Sequence, residues 1–97
     1  MARYLDVVFT GWRLCSEFGL TAEQVEGWAE IRRLNTRARS AWERGNNSGD
    51  SAYLERMDAV ADRAWTRAKA IATRYNWTLR QPGLFWQIIN AKGVEIR

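Results

Sequence analysis

The chain has 97 residues, a formal net charge of +4, six tryptophans, a single cysteine and no histidine. This length predicts one domain, in which large aromatic side chains help to fill a small core. A single cysteine excludes an internal disulfide, and the lack of histidine removes the commonest general base and metal ligand. We find neither a secretory leader nor an apolar run long enough for a membrane span, so we expect a cytoplasmic protein.

The first segment, residues 3–18, carries apolar side chains at helical spacing. We expect a helix here, ended by Gly19 at the position just after the helix. The alternative for residues 4–10 is a strand, because several of their side chains favour pleated geometry. The apolar stripe predicts that Cys15 is a buried, inert thiol and that Trp12 belongs to the core.

Two long helical patterns follow, over residues 22–44 and 52–75. The first begins with a capping box, in which Thr21 and Gln24 satisfy each other's backbone N–H groups. Each helix begins acidic and ends basic, so an antiparallel hairpin would place acid opposite base at both ends. The predicted seam consists of Gln24, Trp28, Ile31, Asn35, Ala38 and Trp42 on the first helix, and of Leu54, Met57, Ala61, Ala64, Ala68, Ile71 and Tyr75 on the second.

After Asn76 the apolar period changes from that of a helix to that of a strand. Pro82 and Gly83 predict a type II turn, and a later turn places Gly93 in the left-handed conformation. The predicted strands cover residues 77–81, 84–90 and 94–97. The sequence therefore predicts a single α+β domain over residues 1–97, with three helices, including a long antiparallel αα-hairpin, followed by a C-terminal three-stranded β-meander.

The sequence contains no motif for catalysis. Without histidine, the serine and cysteine triads cannot form, and no glycine-rich loop is present to hold a phosphate. We therefore expect no enzymatic activity, no cofactor and no bound metal. The corner at Thr21 is similar to a helix-turn-helix, but Glu23 and Glu26 open its second helix and would repel a phosphate backbone.

The segment 84–90 holds the main candidate for a docking site. In a strand, Phe85 and Ile89 would point away from the core on the same side, with only Gln87 as a polar residue between them. Two explanations are open: a second layer such as the first helix covers this face, or the face binds a partner protein. The candidate protein-binding residues are Phe85, Gln87, Ile89, Trp42 and Tyr53.

Two alternatives to protein binding remain at this stage. The first is a basic nucleic-acid-binding module that uses five basic residues with no acid between them. These residues are Arg63, Arg67, Lys69, Arg74 and Arg80. The second is self-association of a structural protein, because an apolar outer strand can also pair with a copy of itself.

The order of the motifs resembles that of small accessory proteins of bacteriophages and prophages. Gly-Leu-Thr-Ala-Glu-Gln at residues 19–24 precedes the hairpin, and Asn-Trp-Thr at 76–78 and Pro-Gly-Leu-Phe at 82–85 follow it. The resemblance implies a factor that binds a host protein or protein complex in the bacterial cytoplasm and inhibits or redirects it, as anti-CRISPR and other host-takeover proteins do. It carries over no functional residue.

Overall fold

A computed structural model describes the backbone of residues 2–97 and the side chains of residues 10–97. This part of the chain forms α1 (Ala2–Phe18), α2 (Ala22–Asn47), α3 (Ser51–Arg74), β1 (Thr78–Arg80) and β2 (Gln87–Ile89). The protein is mostly helical, with a short antiparallel sheet at its C-terminal end. Within the described residues, no helix combines the length and the apolar character that a membrane crossing needs.

The first segment is helical throughout, so the strand alternative for residues 4–10 is wrong. Gly19 ends α1 with φ 66°, as predicted, and its N–H donates to the Cys15 carbonyl at 3.1 Å. Leu14 is fully buried, whereas Cys15 is exposed and Trp12 is 70% exposed. The prediction of a buried Cys15 and Trp12 is wrong, because among the described side chains of α1, from residue 10 to 18, only Leu14 is fully buried and Cys15 and Trp12 lie on other sides of the helix.

The hairpin of α2 and α3 is antiparallel, as predicted. Gly27 near the start of α2 faces Tyr75 just beyond α3, and Gly45 near the end of α2 faces Leu54 and Met57 near the start of α3. A Cβ atom added at Gly45 would lie only 3.0 Å from Leu54 Cδ1, so a bare backbone is what allows this close approach.

Local capping signals position both helices. The capping box forms, with Gln24 N donating to Thr21 Oγ1 at 3.1 Å and Thr21 N donating to Gln24 Oε1 at 2.9 Å. Asp50 caps α3 by accepting from the N–H of Ala52 at 3.0 Å. Helix α2 extends three residues beyond its predicted end at 44, because packing of buried Gly45 against α3 outweighs the low helix propensity of glycine.

The predicted seam of α2 does not coincide with its junction with α3, because residues that flank the seam line that junction and two residues of the seam contact the C-terminal segment. Leu34 and Ala41 line the junction with α3, whereas Trp28 and Asn35 hydrogen-bond to the C-terminal segment. Ile31 is fully buried in the core. On α3 the small residues of the predicted seam are buried, as expected; they are Ala61, Ala64 and Ala68, and Ala72 continues their row.

The sheet has two strands, so the predicted three-stranded meander is wrong. Strand β1 pairs with β2 in antiparallel register, with Leu79 opposite Ile88. The last segment adds only one isolated bridge, between Ile89 and Glu95. The Ile96 N–H donates to the Ile88 carbonyl on β2 at 2.8 Å, but the Ile96 carbonyl accepts from Trp28 Nε1 on α2 at 2.9 Å, so the pairing does not extend into a third strand.

Of the two turns predicted near the C-terminus, one forms as predicted and the other does not. The turn before the last segment has Gly93 at φ 84°, as predicted, and its N–H donates to the Asn90 carbonyl at 3.0 Å. Gly83 has no positive φ, so the predicted type II turn is wrong. The connection between β1 and β2 instead covers residues 81–86, because α2 holds the backbone around Trp86 and keeps it out of the sheet.

Candidate functional site

A buried asparagine on α2 anchors the connection between the strands. Asn35 is only 3% exposed, and its Nδ2 donates to the Leu84 carbonyl at 2.8 Å. Its Oδ1 accepts from the Trp86 N–H at 3.0 Å. One amide side chain thus satisfies two backbone groups that the sheet leaves unpaired. Trp86 is held in the core, with its ring edge-to-face against Trp65 at 5.0 Å between centroids.

An arginine on the same face of α2 holds the other backbone group of Trp86. Arg32 Nη1 donates to the Trp86 carbonyl at 2.8 Å, and its guanidinium lies 5.3 Å from the centre of the Trp28 ring. Burial lowers the pKa of Arg32, and the carboxylate of Glu95 opposes that shift. Its role is structural, because its charge is half-buried and directed at a backbone carbonyl.

The anchored connection presents two exposed apolar side chains. Leu84 is 51% exposed and Phe85 is 65% exposed. The guanidinium carbon of Arg39, one helical turn after Asn35, lies 4.5 Å from the centre of the Phe85 ring. We call Leu84, Phe85 and Arg39 the tip patch. It combines an aromatic, an aliphatic and an arginine side chain, a mixture found at the centres of protein interfaces.

The residues predicted for docking are only partly brought together. Phe85 precedes β2 and is exposed, so α1 does not cover it. Gln87 and Ile89 are half-buried in β2, and Ile89 lies between Thr78 and Glu95. The sequence-based prediction missed Arg39, although its spacing of four residues from Asn35 places both on one helix face.

Trp42 and Tyr53 make no described contact with Phe85. Trp42 is half-buried and packs against the core. Tyr53 is half-buried, with the guanidinium of Arg56 at 5.6 Å from its ring centre. Within residues 10–97, no ring contact or hydrogen bond connects either of them to Phe85. Their role in protein binding stays a prediction.

A different side of α2 forms a basic groove with α3. Two adjoining cavities of about 460 Å³ and about 150 Å³ make up this groove, which we call the arginine groove. Its rims carry Arg33, Arg37 and Arg44 from α2 and Arg63 and Arg67 from α3, with the hydroxyl groups of Thr36 and Ser40. Its floor is apolar and consists of Leu34, Ala41, Met57, Val60 and Ala64.

The charges of the arginine groove are only partly compensated. Glu30 accepts from Arg33 at 2.7 Å and lies 3.9 Å from Arg67. Among the residues whose side chains are described, Arg37, Arg44 and Arg63 form no ion pair within 4.0 Å. Like charges at the two rims repel each other, so an anionic group in the groove would be stabilised.

The five basic residues predicted for nucleic-acid binding do not share one surface. Arg63 and Arg67 line the arginine groove. Lys69 lies over the ring of Trp65 at 5.8 Å, Arg74 lines a third cavity that also contains three glutamates, and Arg80 lies on β1.

The arginines of α2 complete the groove instead. The spacing of Arg33, Arg37 and Arg44 by four and seven residues signals a shared helix face, and the sequence-based prediction did not use that signal.

No protein family, curated protein or solved structure matches this chain. Any inference about function therefore depends on the tip patch and the arginine groove. The setting implied by the resemblance to bacteriophage accessory proteins stays a prediction.

Proposed function

We propose that this protein acts by binding a partner protein through the tip patch, without catalysing a reaction. The observation that supports this is the exposure of Leu84 and Phe85 on a backbone that Asn35 anchors to α2. An exposed aromatic side chain on a fixed backbone loses little conformational freedom on binding, so more of its burial energy contributes to affinity.

The chemistry of the tip patch fits the centre of an interface. Full burial of a phenylalanine side chain is worth about 1.5–3 kcal/mol. Arg39 already stacks on Phe85, and its charge can pair with an acidic group at the rim of a partner. The lack of histidine in the chain supports binding over catalysis, as does the absence of a motif for nucleophilic chemistry.

The resemblance to bacteriophage accessory proteins adds a setting to this proposal. The partner would be a protein or protein complex of the bacterial host, and binding would inhibit or redirect it in the cytoplasm. Anti-defence activity, such as inhibition of a CRISPR complex, is one form of that function.

Affinity purification with three forms of the protein tests the proposal. Wild type, Phe85→Ser and the control Val94→Ser are used to recover partners from the native host at low and at high salt. Val94 is a matched control because it is 50% exposed and lies outside the tip patch. We expect a protein partner that persists at high salt, is retained by Val94→Ser and is lost with Phe85→Ser.

Two results would contradict the proposal. One is a partner that binds Phe85→Ser with unchanged affinity when titrated in purified form. The other is recovery of nucleic acid alone, released steeply as salt rises, which would favour the alternative function.

A further inference from the structure

The arginine groove continues along the hairpin into a third cavity, where glutamates outnumber arginines. This cavity has a volume of about 700 Å³, and Arg33 lines both it and the arginine groove. Its α2 rim carries Glu23, Glu26 and Glu30 beside Arg33, and its α3 rim carries Arg74. The full groove is therefore charge-polarised, with glutamates near the start of α2 and arginines near its end.

An apolar floor runs below both charged parts. Met57 and Val60 lie below the arginine rims, and Ile71 lies in the third cavity, between the glutamates of α2 and Arg74. All three side chains are only half-buried. A surface specialised for phosphate alone gains nothing from such a floor, whereas an apolar stripe of a partner would bury it.

The polarity of the groove also argues against a nucleic acid. A nucleic-acid backbone is negative along its whole length, so Glu23 and Glu26 would repel the part that lies beside them. Only a ligand that changes sign along its length is complementary to both ends of the groove.

A second copy of this chain is disfavoured by the charge count. Six arginines and three glutamates line the full groove, so two copies packed antiparallel would place the glutamates of each beside the arginines of the other but would still leave the interface with a net positive charge. These residues are Arg33, Arg37, Arg44, Arg63, Arg67, Arg74, Glu23, Glu26 and Glu30.

We infer that the groove between α2 and α3 binds an amphipathic helix of a partner protein. The apolar stripe of the bound helix lies on Met57, Val60 and Ile71. The acidic end of that helix lies beside the arginine groove, and its basic end lies beside Glu23 and Glu26. From Glu26 to Arg44 the groove follows about 18 residues of α2, which is about 27 Å at 1.5 Å per residue. The occupant is thus a helix of similar length, seated as a third helix on the hairpin.

Synthetic probes test this inference without knowledge of the natural partner. The main probe is a fluorescent peptide of about 18 residues with an apolar helical stripe, glutamates on the polar face of one half and lysines on that of the other half. A second peptide has the same composition with the charges interspersed, and a third probe is a DNA duplex of similar length. We expect the polarised peptide to bind at least about tenfold more tightly than either of the others at physiological salt.

Point variants then locate the site. Arg37→Glu should weaken the polarised peptide about tenfold, whereas Arg80→Glu, which makes the same charge change outside the groove, should leave its affinity unchanged. Val60→Thr, which keeps the shape of the side chain, should weaken the peptide by about threefold to tenfold because a hydroxyl group enters the floor. If Val60→Thr does not fold, Met57→Gln replaces it. Phe85→Ser should have no effect, since the tip patch lies elsewhere.

Several outcomes would overturn the inference. Equal binding of the interspersed peptide would show that charge polarity plays no part. Tighter binding of the duplex, weakened by Arg37→Glu and not by Val60→Thr, would make the groove a nucleic-acid surface. A dimer in analytical ultracentrifugation that Arg37→Glu abolishes would assign the groove to a second copy of the chain, and no detectable binding of the polarised peptide would leave the groove without this function.

Discussion

Replacement of Asn35 by leucine tests how the C-terminal segment is held. Leucine has a similar size, so it leaves no large cavity, but it removes both hydrogen bonds to the backbone of Leu84 and Trp86. The Trp86 N–H is buried, and its loss of a partner costs about 1–3 kcal/mol. The Leu84 carbonyl is only partly buried, and loss of its hydrogen bond costs about 1 kcal/mol.

Together these losses predict that Asn35→Leu lowers the free energy of unfolding by about 2–4 kcal/mol. For a domain of this size, that corresponds to a decrease of roughly 10–25 °C in Tm. Urea and thermal unfolding followed by circular dichroism measure both quantities. Thr36→Ala is a suitable control, because Thr36 is the exposed neighbour of Asn35.

A second consequence connects this anchor to the proposed docking site. Because Asn35 fixes the backbone that carries Leu84 and Phe85, the variant should also weaken binding through the tip patch. A Tm of Asn35→Leu within about 2 °C of the wild type would refute the reasoning, because it would mean that the buried N–H of Trp86 finds another partner at no cost.

Three further variants test the fold and the exposure of the tip patch. Ala68→Leu should overpack the junction of α2 and α3, since Ala68 is fully buried, and we expect a loss of about 1–3 kcal/mol in urea unfolding. Gly93→Ala places a side chain at φ 84° and should cost about 1 kcal/mol by the same measurement; an unchanged midpoint would mean that the turn adopts another conformation. Phe85→Ser should change stability by less than about 0.5 kcal/mol because Phe85 is exposed, and a loss of about 2–4 kcal/mol in thermal unfolding would instead place Phe85 in the core.

Much of the secondary structure is determined by the sequence through short-range interactions. The end of α1 at Gly19, the capping box at Thr21 and the turn at Gly93 each depend on residues within about four positions along the chain. The period of the apolar residues predicted both long helices, and their similar length predicted the hairpin. These features follow from local backbone geometry and from hydrogen bonds between near neighbours.

Only the tertiary structure decided which face of each helix is buried and which element packs against that face. An apolar stripe shows that a face is suited to burial, but in the described part of α1 Leu14 is buried and Trp12 is exposed. On α2, Gly45 packs against α3 while Asn35 binds the C-terminal segment, although the sequence pattern does not separate these two partners.

The absence of a third strand and the formation of the arginine groove both depend on packing between segments that are far apart in the sequence. The segment after Gly93 has a sequence suited to a strand, but its pairing with β2 is limited to one bridge, because the Ile96 carbonyl accepts from Trp28 on α2. Arg37 and Arg63 lie far apart in the sequence, and only the antiparallel packing of α2 on α3 places them along one groove. Long-range packing decides such features, because the free energy of burial depends on which surfaces meet and not on the pattern of one segment.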